Sequence, residues 1–303
     1  MMGRMRVFFC VLMAAALLVC TGIRAEASTE TEATAYVEAF GKQFDPDAEL
    51  LDLSDIPLEN TEQVEEILPL FPNLKQVDMC RCGVPDEEMA EFRRKYTDIK
   101  IVWEVIVCKY YGVRTDAVWF MPFQYHIPEG WTDFDNLKYC TQMQLMDFGH
   151  YELEDISFVT AMPQLKYLLL CDSKLEDISI IGNCTSLEYL ELFANPFDDF
   201  APLTNLTNLR NLNVSFTPYT KCGSDYAFTG DFGDITPLQQ MTWLDRLWMS
   251  GSRLKEEDEA LLREALAHTD MIFLSDSSTD KGWRHSPYYY AGRDMVGGGY
   301  MVK

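Results

Sequence analysis

The sequence predicts an α/β solenoid, a right-handed coil in which every turn adds one short strand to a parallel, concave sheet. Three observations predict it. Apolar residues recur with a 22-residue period through the second half of the chain. Each period opens with apolar residues two apart, the spacing of a strand, and closes in a tight convex turn. Longer periods on either side carry the same strand pattern followed by an apolar stripe at helical spacing.

The first 22-residue frame starts at Met143 and continues through Met146, Phe148, Leu153, Ile156, Val159 and Met162. Frames starting at Leu165, Leu187 and Leu209 repeat those sites, the last one interrupted by an extra segment, Lys221–Gly233. Leu168, Leu190 and Leu212 hold one site in successive frames and are expected in one buried column. Asn195 stands where the turn after the strand needs side-chain hydrogen bonds to the backbone, and Tyr151, Ser173 and Thr217 hold that place in the other frames. A single frame cannot fold alone. Burying about six side chains at roughly 1.5–3 kcal/mol each stabilises it by about 9–18 kcal/mol. Fixing the backbone of about 22 residues at roughly 1–2 kcal/mol each costs more. Neighbouring frames must supply the difference by stacking.

The segments follow in order. Residues 1–27 read as a secretory signal: Arg4 and Arg6, the apolar run Val7–Cys20, and small residues at Ala25 and Ala27, with cleavage expected after Ala27. Two other readings of the stretch stand beside it, a lipid anchor at Cys20 after "LLV" and an uncleaved apolar anchor over Val7–Ile23. Residues 28–47 are a polar lead into a cap helix with Tyr36, Val37, Phe40 and Phe44 on one side. Residues 48–100 hold two helix-containing repeats, with "TEQVEEILPLF" and "PDEEMAEFRRKY" as the helices. Residues 101–142 break the period with an alternating, β-branched stretch read as strands or a hairpin projecting from the coil, an aromatic patch "WFMPFQYHIPEGW" and a partial repeat. Residues 143–273 are the regular repeats, the last carrying a helix with Leu261, Leu262, Ala265 and Leu266 as its stripe. Residues 274–303 form an aromatic tail with Trp283 and Tyr288–Tyr290, expected to cap the last coil.

The formal charge of −23 speaks against nucleic acid as a partner, because counterion displacement needs clustered Lys and Arg. Cleavage after Ala27 would leave seven of the nine cysteines, an odd number, and small buried core positions account for them. No cofactor, metal or catalytic set is expected. The four histidines lack metal-ligand spacing, and no phosphate, dinucleotide or nucleophile-elbow motif occurs.

The cores "LKYLLL", "LEYLEL" and "LRNLNV", with "DITPL" and "LTN" in the convex turns, resemble the leucine-rich repeat family, and the 22-residue length is similar to the internalin type of bacterial surface protein. The resemblance covers about Ala48–Phe273, apart from 101–142. It implies a protein or peptide ligand on the concave sheet. The residues it would place there are Asp147, His150, Tyr167, Leu169, Tyr189, Glu191, Phe193, Phe216 and Trp248. Tyr167 and Tyr189 should stack as neighbours, with Leu169 beside Glu191. Stacking across strands is itself a sufficient use for such residues. The expectation is therefore an exported or surface, non-catalytic binding scaffold. The alternative is a cell-wall glycan module that uses the tail with Trp119 and Trp131. The chain carries no Leu-Pro-x-Thr-Gly wall-sorting motif.

Overall fold

The computed structural model describes residues 36–123, 126–128, 130–222, 225–228, 232–273 and 281–296. The signal reading over 1–27, cleavage after Ala27 and the Cys20 anchor lie outside these residues. The described chain falls into two compact units, one ending at Trp103 and the other beginning at Glu104.

The first unit opens with an antiparallel hairpin, Val37–Ala39 with Lys42–Phe44, in place of the expected cap helix. Its two-residue turn puts both Phe40 and Gly41 at positive φ, 52° and 72°, which matches the twist of the flanking strands. Three parallel strands follow in register, Leu50–Asp52, Gln76–Asp78 and Lys100–Val102, with Leu51, Val77 and Ile101 buried as one row. The first expected helix is shortened to Glu62–Glu65 and a 3-10 turn at Leu68–Leu70, because Pro69 cannot continue a helical hydrogen-bond ladder. The second forms fully over Asp86–Lys95. Asp86, Glu87 and Glu88 at its start and Arg93, Arg94 and Lys95 at its end suit the helix dipole, while Met89 and Phe92 are buried.

The second unit opens with a hairpin, Glu104–Val107 with Tyr111–Arg114. A seven-stranded parallel sheet follows: Trp119–Phe120, Leu145–Asp147, Tyr167–Leu169, Tyr189–Glu191, Asn211–Asn213, Arg246–Trp248 and Asp270–Ile272. Spatial order follows chain order. The ladder begins at Trp119–Phe120, inside the segment that breaks the period. Phe120, Met146, Leu168, Leu190, Leu212 and Leu247 lie in register and are all fully buried, so the expected column exists. Tyr219–Cys222 pairs antiparallel with Asp225–Phe228 where the extra segment of the fourth frame enters.

One hydrogen-bond ladder repeats with the period, and one asparagine closes a single turn. On the convex side an Asp carboxylate accepts the backbone N–H two residues on and opens each turn: Asp155 to Ser157 at 2.7 Å, Asp177 to Ser179 at 2.7 Å, Asp199 to Ala201 at 2.8 Å and Asp234 to Thr236 at 2.9 Å. The Ser179 backbone N–H holds the Asp177 carboxyl below its ordinary range, and the Thr236 hydroxyl does the same for Asp234. After the strand, Asn195 closes the turn. It accepts from the N–H groups of Ser173 and Leu175, both at 3.1 Å, and donates to the carbonyls of Leu170 at 2.7 Å and Leu192 at 2.9 Å. In the last long repeat the helix forms at Glu256–Ala265 and buries Leu262 and Leu266, but Leu261 points to solvent. Cys80, Cys82, Cys108, Cys140, Cys171 and Cys184 are buried, as small core positions would be.

Candidate functional site

Strand side chains alternate, so the residues on either side of the leucine column lie on the opposite, outer face of the sheet. They make two rows. One runs Leu145, Tyr167, Tyr189, Asn211 and Arg246; the other runs Asp147, Leu169, Glu191, Asn213 and Trp248. Tyr167 pairs with Tyr189 and Leu169 with Glu191, as the repeat length requires.

This face is not open. The tail 281–296 crosses it, instead of capping the last coil. The Trp248 indole N–H donates to the Lys281 carbonyl at 2.8 Å. Trp283 enters a 3-10 turn and sets its ring 5.1 Å from Phe193. The Ser286 hydroxyl donates to Asn211 Oδ1 at 2.8 Å and accepts the Tyr288 N–H at 3.2 Å, capping the helix Pro287–Met295. Tyr289 lies 6.3 Å from Tyr189. At Gly292 the helix backbone meets Leu145 and Tyr167. A Cβ there would lie 2.8 Å from Leu145 Cδ1. The tail thus runs back from Trp248 to Leu145, across the strands.

The consequence is a second apolar core on the outside of the sheet. It joins Met121, Leu145, Tyr167, Leu169, Tyr189, Trp248 and Ile272 to Trp283, with Tyr288, Tyr289, Met295 and Val296 packed against it. Tyr189 and Trp248 are 1% and 0% exposed. Burying each large side chain this way stabilises the seated tail by about 1.5–3 kcal/mol. A cavity of about 20 Å³ lies between helix and sheet, near Asp147 and Arg293.

Polar groups are trapped beneath it. Glu191 is buried, and desolvation pushes its carboxyl up to about 8. The Tyr189 hydroxyl donates to Glu191 Oε1 and Arg284 also favours the anion, while Asp147 opposes it. Burial likewise raises Tyr289 to about 12 and drives Tyr189 and Cys171 well above their ordinary ranges. Asn213 Nδ2 is buried without a hydrogen-bond partner. Such an orphan costs about 1–3 kcal/mol.

The structure gathers Asp147, Tyr167, Leu169, Tyr189, Glu191 and Trp248 under the tail and Phe193 at its edge. His150 and Phe216 lie away from it. His150 is exposed at φ 68°, with Nδ1 3.3 Å from the Asp172 carboxylate. Phe216 sits on Gly251, where a Cβ would meet its ring. Ser286 was missed in the sequence, and Asn211 was left out of the nine candidates. The signal for the tail was its own stripe, Trp283, Ser286, Tyr289, Gly292 and Val296, led by the Ser-Pro pair of a helix start. The aromatic tail expected to serve a glycan module is turned inward over its described part, where Tyr288 and Tyr289 are half-buried and Tyr290 is exposed. Trp119 is half-buried against the same core. Trp131 instead packs beside exposed Tyr110, ring centroids 5.6 Å apart, over an open groove of about 310 Å³. Among the described residues, no group of three or more His, Cys, Asp or Glu side chains gathers as a metal site, and no helix is long and apolar enough to cross a membrane.

No protein-family profile and no curated protein matches the sequence. By structure the chain is similar to an internalin (InlF) of Listeria monocytogenes, at 15% identity and TM-score 0.39, over 77% of this chain and 63% of that one. It is similar to internalin C2 of the same species at 16% identity and TM-score 0.36, over 78% of each chain. A leucine-rich repeat protein of Leptospira interrogans matches at 15% identity and TM-score 0.34, over 76% of this chain and 56% of that one. The chain therefore spans under two thirds of the length of the first and third. The fold rests on the chain's own geometry: with in-register parallel strands, one buried leucine column and a turn-closing asparagine, the second unit is a leucine-rich repeat solenoid.

Proposed function

We propose that the chain is an exported, non-catalytic interaction scaffold that takes a protein or peptide on the outer, concave face of its seven-stranded sheet. One observation carries the reading: the face made by Leu145, Tyr167 and Tyr189 of one row and Leu169 and Trp248 of the other already seats a helical segment, so its shape and chemistry suit a peptide. Asp147 supplies an acidic contact and Glu191 a hydrogen-bonding carboxyl on that face, Phe193 supplies a rim contact, and exposed His150 and half-buried Phe216 are outlying contacts at turns beyond the seated tail. Aromatic anchors of this kind give large contact area at low entropic cost.

The test offers bacterial and host surface extracts to the immobilised chain and to Gly292→Leu, which crowds the seated tail. A protein captured by these forms should be lost when Tyr167, Tyr189 and Trp248 are replaced by Ala in a chain that still melts cooperatively. Capture that ignores those three replacements would move the binding site elsewhere.

A further inference from the structure

We infer that residues 281–296 are a tethered stand-in for the external partner, and that the partner presents a helix of the same chemistry: basic, aromatic, and bearing a small residue where it crosses the sheet. The inference rests on the concave-face reading above and names the kind of partner.

Four features point to it. First, the tail covers the wrong surface for a structural cap. A cap closes the exposed end of a solenoid, whereas this helix runs over strands from Asn211 back to Leu145. Second, the covered face keeps the polar groups of an accessible surface. Glu191 is buried among Tyr189, Tyr289 and Asp147, and Asn213 Nδ2 has no partner. A face buried for stability alone favours apolar residues at such positions. Third, the fit is specific along the helix. Trp283 meets Phe193, Ser286 meets Asn211, and Gly292 allows backbone approach to Leu145 and Tyr167. Fourth, the charges are complementary where Asp147 of the face and Arg293 of the tail line the same cavity, while buried Glu191, beside Arg284, is a hydrogen-bonding carboxyl. A chain of net charge −23 draws in basic partners.

A tethered segment competes at an effective concentration of roughly millimolar order. A free peptide of the same sequence should therefore bind poorly to the intact chain and well once the tail is weakened. The probe is a fluorescent synthetic peptide of residues 281–296, titrated by anisotropy against the full chain, against Gly292→Leu and against Trp283→Ala, a second variant that weakens the tail by truncation instead of crowding. Affinity for both variants should exceed that for the intact chain by about tenfold or more. Replacing both arginines of the peptide with Gln should reduce it about tenfold and flatten its salt dependence. Equal affinity for all three chains would overturn the inference. So would no binding to a variant whose tail amides exchange freely. Either result, alongside partner capture that still needs Tyr167, Tyr189 and Trp248, would remove the stand-in and leave the concave-face reading standing.

Discussion

The Ser286 hydroxyl donates to Asn211 Oδ1 at 2.8 Å, joining two buried residues 75 positions apart in the chain. The same oxygen caps the tail helix at Tyr288. Replacing Ser286 with Ala removes a helix cap and a buried hydrogen bond together, which costs about 1–2 kcal/mol of tail seating. That corresponds to roughly a five- to thirtyfold rise in tail opening. Limited trypsin digestion should show it as faster cleavage after Arg284 and Arg293, with the repeats still intact.

Seating of the tail should depend on pH through Glu191. Its carboxyl is raised from 4.5 to about 8 in the folded state, mainly by desolvation. Below pH 4.5 it is protonated in both folded and unfolded chains and contributes no difference. As pH rises toward 8, the folded state holds a proton that the unfolded state has released, so stability falls and then levels off above 8. The groups that face it are Tyr189 and Asp147 from the sheet and Tyr289 and Arg284 from the tail, with Cys171 close to Tyr189. Glu191→Gln should flatten the profile and be the more stable protein at pH 8.5, by an amount on the order of a few kcal/mol. Melting curves from pH 5 to 9 on both proteins check this. A wild-type melting temperature that rises from pH 5 to 8 would contradict it.

Asn195 closes its turn with one side chain and at least four backbone groups. Asn195→Ala leaves several of them buried without partners, so a loss of about 2–4 kcal/mol is expected. Asn195→Asp keeps the two accepted bonds but loses the donor to Leu170 and Leu192. It should fall between the wild type and the alanine variant in urea denaturation.

The repeats were legible because period and packing coincide. A 22-residue frame fixes the strand register, and register alone places Leu168, Leu190 and Leu212 in one column and Tyr167 beside Tyr189. Asn195 was legible from its place after the strand. The first hairpin was not, because Tyr36, Val37, Phe40 and Phe44 fit one side of a helix as well as a turn at Phe40–Gly41, and a Phe at positive φ is an uncommon turn residue. The tail escaped for a different reason. Three consecutive tyrosines and Gly292 blur its helical stripe, and Gly lowers helix propensity. Which surface a distant segment covers is long-range information that spacing within the segment does not carry. Asp147, Tyr167, Leu169, Tyr189, Glu191 and Trp248 lie together under the tail, Phe193 at its edge, and His150 and Phe216 away from it, on a face that was expected to be bare.

The most direct measurement is amide hydrogen exchange across Tyr288–Met295 in the full chain. Seated on the sheet, those amides should exchange at least about tenfold more slowly than in the free 281–296 peptide, whose isolated helix is too short to persist in water. Trp283→Ala should return them toward the peptide rate while the strand amides of Leu168, Leu190 and Leu212 stay protected. Peptide-like exchange over Tyr288–Met295 in the unaltered chain would show that the tail leaves the face open, and the tail-occupied binding face would be wrong.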